Sequence, residues 1–319
     1  MGILGFGLFG EGLLWPAFQK CQRAECVAIT KRDSKSAQQK ANELGIPHGV
    51  GYANLDEFFA IPELEAVFIA TPNSMHLADC LASFKAEKHV LLEKPMAMNS
   101  RECEQIISTA RASECKLMIA HCLRYNTTVN YVRDLVDSGA LGKLVTCTAD
   151  FTSNAMQSSR PWKLDKKLAG GGAAFDLGVH MIDTLRYLID ERIVETRYLR
   201  NPRNLQKKDV DFVSSFLVQF ESGVIGRVNS TYIGSRNTYL EVTGENGYIR
   251  AFDWQPNSAR VRIEQEINGE FERTIVDNED MYVKEIDDFA DAILNDSPIP
   301  IPGQTGLENQ WIIDLANRG

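Results

Sequence analysis

The chain opens on a short apolar strand, Ile3-Leu4, that runs directly into Gly5-Phe6-Gly7-Leu8-Phe9-Gly10 and then into a helical stretch. Three glycines at that spacing leave few options. The first allows a tight turn, the second lets backbone approach a pyrophosphate with no side chain between, and the third lets helix pack closely on strand. The N-terminus of the following helix supplies amide donors to an anion. A second apolar strand, Cys26-Val27-Ala28-Ile29-Thr30, lies at the distance expected of a βαβ unit. In that context the turn predicts a dinucleotide site; alone, the same spacing would fit a tight turn in an unrelated α/β protein.

The end of the second strand is informative about the nucleotide. About 20 residues beyond the glycines an NAD site carries an acid for the ribose 2′-hydroxyl. Here the strand ends in Thr30-Lys31-Arg32, and the nearest acid, Asp33, lies past it. Two cations attract a 2′-phosphate, so NADP is expected to be preferred, with NAD possible. Solvated surface charge is the plainer reading of Lys31 and Arg32.

Three further apolar strands, at 66–70, 89–92 and 116–120, alternate with helices at about 76–86 and 100–112. Their runs are too continuous for a half-exposed sheet, which predicts a doubly wound parallel sheet of five strands, a Rossmann-type α/β domain over 1–120. Ligands of such sheets bind outside the carboxyl ends of the strands. Two loops fall there: Thr71-Pro72-Asn73 with His76, and Glu93-Lys94-Pro95. Lys94 is placed to act on substrate, against the alternative of a surface lysine beside a turn proline. His76 is either a cofactor contact or a helix-start residue that touches no ligand.

From Leu144 the period changes to alternating strands, at 144–151, 211–220, 224–231, 239–243, 248–254, 260–267 and 271–276. Glu221-Ser222-Gly223, Gly244-Glu245-Asn246-Gly247 and Asn268-Gly269 are hairpin signals. The segment 121–319 is therefore expected to be an α+β domain on an open, largely antiparallel sheet, with the polar stretch 201–208 as a loop. Against that sheet should pack a helix over 174–189, introduced by Gly170-Gly171-Gly172. Asp176 and His180 then share one helix face, a geometry suited to acid/base work. In isolation the pair reads more simply as a cap and a satisfied core histidine.

Bulk properties narrow the partners. With 319 residues and 44% hydrophobic content the chain can bury a large core. A net charge of −9 argues against nucleic acid or an anionic membrane, since either would demand a basic face. The seven cysteines are odd in number and include no Cys-x-x-Cys pair, which fits reduced thiols in the cytoplasm. No apolar run reaches the about 18 residues of a membrane span, and no signal peptide is apparent. His76, Asp176 and His180 lack the spacing of a zinc site, so no metal is expected.

Together these motifs resemble the glucose-fructose oxidoreductase, inositol dehydrogenase and MocA (Gfo/Idh/MocA) family over nearly the whole chain. The likeness rests on the glycine turn, the Thr71-Pro72-Asn73 loop with His76, Glu93-Lys94-Pro95, and the glycine run continuing to Asp176, His180 and Asp183. It implies a catalytic trio of Lys94, Asp176 and His180, and a homo-oligomer, dimer or tetramer, formed through the open sheet. The implied substrate is a sugar, polyol or related hydroxy compound. Arg124, Tyr125, Trp162 and Lys163 are candidate substrate contacts, or equally packing residues. Two departures stand out: only four residues precede Gly5, and the chain stops directly after the apolar helical pattern 311–316, where family members often continue. A chain shortened at either end is thus an expectation.

The chemistry expected is hydride transfer to a nicotinamide, with His180 exchanging the hydroxyl proton. An imidazole of ordinary pKa, about 6.5, suits that task near neutral pH. Lys94 would hydrogen-bond the developing alkoxide and Asp176 would orient substrate and His180. Two other readings remain: a glycosidase that recycles its dinucleotide within a turnover, and a non-catalytic sensor of dinucleotide or sugar. A net change in nicotinamide absorbance separates the dehydrogenase from the glycosidase. The presence of the full trio argues against the sensor.

Overall fold

The computed structural model describes residues 1–155, 159–201, 209–254 and 258–317. They form two compact units, Met1–His121 with Tyr282–Gln310, and Cys122–Met281 with Trp311–Gly319.

The first unit is built on six parallel strands: β1 (Gly2–Leu4), β2 (Ala28–Lys31), β3 (His48–Gly51), β4 (Ala66–Ile69), β5 (His89–Glu93) and β6 (Leu117–Ala120), in the order β3-β2-β1-β4-β5-β6. Burial of β4 along its whole length matches the continuous apolar runs expected of a sheet covered on both faces. Strand order reverses between β1 and β4, and the glycine turn leaves β1 at that switch. The helices His76–Lys85 and Ser100–Ala112 stand where the sequence puts them.

One strand of this sheet is hidden in the sequence. The expected five strands are six, because His48-Gly49-Val50-Gly51 pairs with β2 although half of it is glycine. The reason is close packing by the helix Ser34–Leu44. A Cβ on Gly49 would fall on the backbone carbonyl of Ala37, and one on Gly51 would stand 2.5 Å from the Ser34 hydroxyl.

The C-terminal helices also depart from expectation. The span 121–319 is divided, since 282–310 packs within the first unit. The ring of Tyr282 meets that of Phe9 edge-on at 5.7 Å, and the amides of Gln22 and Arg23 donate to the Asp287 carboxylate. Farther along, Ile119 N–H donates to the Ile301 carbonyl, and the Asn309 amide donates to His121 Nε2. The final apolar pattern belongs to a helix, Gly303–Ile313, that closes in a 3-10 turn, Asp314–Asn317.

The second unit carries an eight-stranded sheet: β7 (Leu144–Asn154), β8 (Ile193–Arg200), β9 (Val213–Phe220), β10 (Ile225–Thr231), β11 (Ile233–Gly244), β12 (Gly247–Phe252), β13 (Arg260–Ile267) and β14 (Glu270–Asp277). The order is β14-β13-β12-β11-β7-β10-β9-β8, antiparallel except for β10 against β7. All three hairpin signals join neighbouring antiparallel strands, and at Asn268-Gly269 both residues take positive φ. The strand β8 adds to those expected. Residues 202–208 of the expected loop lie outside the described residues.

The helix after the glycine run starts unusually, as a π turn, Ala174–Gly178, that passes into an α-helix, Val179–Ile189. Such π turns recur at functional sites. All seven cysteines are free thiols. Among the described residues no helix is long and apolar enough to cross a membrane.

Gly49→Ala should lower stability by about 1–3 kcal/mol, since helix and strand must part to admit the methyl group. Urea unfolding checks this; an unchanged midpoint would show that the helix does not lie on β3 as described.

Candidate functional site

The glycine turn assigns each glycine a different task. Gly5 takes a φ of +95°, donates its N–H to the Thr30 hydroxyl at 2.9 Å, and a Cβ there would meet Thr71 N at 2.8 Å. Gly10 backs on the Phe6 ring, 3.0 Å from a would-be Cβ. A Cβ on Gly7, by contrast, would meet nothing within 4 Å. That backbone is open to a ligand, as a phosphate cradle at a sheet's switch point requires.

Beside the turn, Lys31 and Arg32 have different surroundings. Lys31 Nζ donates to the Phe6 carbonyl at 3.2 Å and lies 5.8 Å from the Phe6 ring centroid, so its charge is held at the turn. Arg32 is exposed. The competing acid is occupied elsewhere: Asp33 caps the helix Ser34–Leu44 by accepting from Ser36 N–H at 2.9 Å and Ser36 O–H at 2.7 Å. Those bonds, the backbone one first, hold its carboxyl below the usual range.

The loops after β4 and β5 are tied together through buried polar groups. Thr71 donates its hydroxyl to Asp79 Oδ2 at 2.6 Å, and Tyr52 donates to Oδ1 at 2.5 Å. Burial nonetheless raises the Asp79 carboxyl to about 6, against the pull of both donors. His76 is fully buried, with Nδ1 3.0 Å from the Pro95 carbonyl and Nε2 3.0 Å from that of Thr71. Burial lowers its pKa to about 4, so the ring is neutral and donates from one nitrogen only. The ring thus lies between the Thr71-Pro72-Asn73 loop and the Glu93-Lys94-Pro95 loop and donates to one of the two carbonyls. Asn73 is buried, whereas Pro72, Glu93 and Lys94 are partly exposed. Glu93 Oε2 accepts from Lys94 N–H at 3.2 Å.

In the second unit the glycine run is fixed by a residue that sequence reasoning missed. Asp211 accepts from Gly172 N–H at 2.9 Å and Ala174 N–H at 2.8 Å, and its own carbonyl accepts from Ala173 N–H. A Cβ on Gly172 would overlap that carbonyl, which is why glycine stands there. Asp211, just before β9, thus caps the helix that carries Asp176 and His180.

Asp176 is bracketed on two sides. Lys163 Nζ lies 2.6 Å from both of its oxygens, and Tyr232 donates its hydroxyl to Oδ2 at 3.0 Å. Tyr232 has no exposed surface and belongs to an apolar cluster with Ala173, Leu177 and Phe212. Its position at the end of β10 gave no motif by which to find it. His180 is buried at 9% exposure, one helical turn on, and Trp162 beside Lys163 is partly exposed.

Arg124, partly exposed, and buried Asp183 form a bidentate pair, at 2.9 and 2.8 Å. The guanidinium also stands 5.1 Å from the Tyr187 ring centroid. Arg124 is thus engaged in holding two helical segments together, while its neighbour Tyr125 is partly exposed. Among the described residues no group of three or more His, Cys, Asp or Glu side chains is arranged to hold a metal ion.

These two halves describe a nucleotide-binding α/β unit and an acid/base-bearing sheet unit, an oxidoreductase architecture. The profile of the oxidoreductase family with NAD-binding Rossmann fold matches residues 1–121, and that of the GFO/IDH/MocA C-terminal domain matches 129–250. The chain belongs to the Gfo/Idh/MocA family of oxidoreductases. Among its relatives, a D-xylose 1-dehydrogenase [NADP(+)] of Haloarcula marismortui is 24% identical over 315 residues, 96% of this chain and 86% of that one. A 1,5-anhydro-D-fructose reductase of Ensifer adhaerens is 28% identical over 226 residues, 70% of this chain and 67% of its own. The crystal structure of an aldose-aldose oxidoreductase from Caulobacter crescentus, complexed with glycerol, superposes with a TM-score of 0.91 at 25% identity, covering 99% of this chain and 96% of that one.

Asp79 carries a pH prediction. Its carboxyl keeps a proton in the folded chain up to about pH 6, whereas the ordinary value is 3.8. The contribution is thus fully present below about pH 4 and is lost as pH rises through about 6, on the order of 3 kcal/mol in all. Asp79→Asn should flatten that part of the stability profile. Parallel denaturation profiles for variant and parent across this window would contradict it.

Proposed function

We propose that this protein is a dehydrogenase or reductase that passes hydride between a nicotinamide dinucleotide, NADP in preference to NAD, and a carbinol carbon of a sugar, polyol or related hydroxy compound. The observation that carries the reading is the open backbone at Gly7 at the point where strand order reverses, with Lys31 held at the same turn. NADP is favoured because the acid that follows the strand end, Asp33, is used as a helix cap while Arg32 remains exposed. The substrate class follows the relatives, whose names are those of enzymes acting on xylose, anhydrofructose and aldoses.

In this reading Gly5, Gly7 and Gly10 shape the pyrophosphate cradle, Lys31 and Arg32 meet the 2′-phosphate, and Thr71, Pro72, Asn73 and Glu93 line the path of the nicotinamide half. His76 acts by tying the two loops together, because its ring nitrogens face carbonyls. When bound, the nicotinamide supplies the hydride acceptor or donor. His180 takes the substrate hydroxyl proton in the oxidative direction and returns it in the reductive one. Lys94 donates a hydrogen bond to the oxygen as it gains alkoxide character, which lowers the electrostatic cost of the transition state. Asp176 orients substrate and His180, itself held by Lys163 and Tyr232. Lys163, Trp162, Tyr125 and Arg124 are assigned to the substrate side, Arg124 through its pairing with Asp183.

The protein acts as a homo-oligomer, dimer or tetramer, through the outer face of the eight-stranded sheet, where Leu199, Leu217 and Ile225 stand exposed on adjacent strands. Its free thiols suit a reducing cytoplasm.

The test is a panel of sugars and polyols with each nucleotide, followed by nicotinamide absorbance. A substrate is expected to give a net change, with NADP bound more tightly than NAD and the preference lost in Arg32→Ala. Lys94→Ala and His180→Ala should each cost about a hundredfold or more in kcat. Sugar release with no net absorbance change would mark a glycosidase, and parent-like turnover in both variants would remove the assigned roles.

A further inference from the structure

Along the helix Val179–Ile189, His180, Asp183 and Tyr187 follow one another at helical spacing and share one face. The first is the acid/base candidate, and the other two hold Arg124, which lies in the 3-10 turn Cys122–Tyr125. Asp183 takes one edge of the guanidinium, accepting from Nε at 2.9 Å and from Nη2 at 2.8 Å. Tyr187 stacks on it, with the ring centroid 5.1 Å from Arg124 Cζ. The ring is itself oriented. Its hydroxyl donates to Asn130 Oδ1 at 2.7 Å, and Asn130 Nδ2 donates in turn to the Arg124 carbonyl at 3.0 Å. Backbone, amide, phenol and guanidinium thus close a loop. Arg133 stands 4.8 Å from the same ring centroid, and its Nη1 donates to the Tyr187 carbonyl.

We propose that Tyr187 is a positioning residue for Arg124, and that the guanidinium so held reads two neighbouring hydroxyl groups of an uncharged substrate through its Nη1 and Nη2 edge. The inference rests on the reading that Arg124 stands on the substrate side of a sugar or polyol oxidoreductase.

The bond to Asp183 alone would join the two helical segments. What the stack on Tyr187 adds is a fixed plane, and with it a fixed direction for the donors left over. These are both Nη1 hydrogens and the second on Nη2, and none has a partner among the described residues. The Arg124 side chain keeps 18% of its surface exposed, against 2% for Asp183, so the arginine is the member of the pair that a ligand can reach. Its planar fork presents parallel N–H donors, which match two oxygens on adjacent atoms. A carboxylate would fit the fork equally well, but charge decides against it. Asp183 already neutralises Arg124, so an acidic substrate would bring a second negative charge to one cation. Hydroxyl oxygens accept the same bonds and bring no charge. In the same unit Asp176 is matched by Lys163 at 2.6 Å, so both carboxylates that accompany His180 arrive with their own cation.

The test uses the full chain and a sugar or polyol that it turns over. Tyr187→Leu should raise KM for that substrate about tenfold and leave kcat within about twofold, while NADP affinity by calorimetry holds. Tyr187→Phe keeps the ring, loses only the bond to Asn130 and stands in if the leucine variant does not fold; it should raise KM about threefold. Removing one substrate hydroxyl at a time should, at two adjacent positions, cost the parent about tenfold in kcat/KM and the variants less, because they no longer hold the fork in place. For the parent, the acid corresponding to the sugar should be the poorer substrate. Parent-like KM in both variants, equal losses on the deoxy substrates, or a preference for the acid would each overturn this inference and leave the oxidoreductase reading intact. Failure of the parent to turn over any sugar or polyol would sink that reading and this inference with it.

Discussion

The nucleotide half of this protein depends on one close approach, the backbone of Gly5 against that of Ala70 and Thr71 where β1 and β4 lie side by side. Because no side chain fits there, the turn after β1 and the loop after β4 share one surface. Each further constraint starts from that seam. Thr71 is fixed by Asp79, Asp79 by Tyr52, and the Thr71 carbonyl stands at the His76 ring whose other nitrogen reaches Pro95. The loop that bears Lys94 thus meets, at Pro95, a run of buried polar contacts that begins at a glycine.

The sheet unit solves a similar problem by other means. A glycine run has no side chains with which to hold itself, so Asp211 holds it, through amides of Gly172 and Ala174. The helix that starts there carries Asp176 against Lys163 and Tyr232, which together satisfy a carboxylate in a largely apolar setting. In both units the functional helix begins as a π turn, Gly10–Leu14 in one and Ala174–Gly178 in the other. Such π turns are rare and recur at functional sites.

Much of this is legible in the residues, and the exceptions have physical causes. Periodicity revealed the parallel and antiparallel sheets because a strand buried on both faces and one buried on a single face write different patterns. It missed β3, where close helix packing replaced apolar side chains by glycine, and it kept all of 121–319 in one domain, whereas Tyr282–Gln310 packs within the first unit. Amphipathic spacing shows that a helix has a buried face but not what covers it. Motifs exposed Gly5, Thr71, Glu93, Asp176 and His180, since those positions sit in local runs. Tyr52 acts on Asp79 from 27 residues away, Asp211 on Gly172 from 39 and Tyr232 on Asp176 from 56, and none of these leaves a local signature. The bracketing of Asp176 by Lys163, 13 residues away, likewise has no motif in the sequence.

The central claim is direct hydride transfer from a substrate carbon to a nicotinamide, with the chain's own residues handling only the proton. It is tested most directly by supplying a turned-over sugar or polyol deuterated at its carbinol carbon and examining the reduced nucleotide by NMR. The account predicts deuterium at C4 of the nicotinamide, on one face only. Retention of the label in the sugar product, with none in the nucleotide, would contradict it.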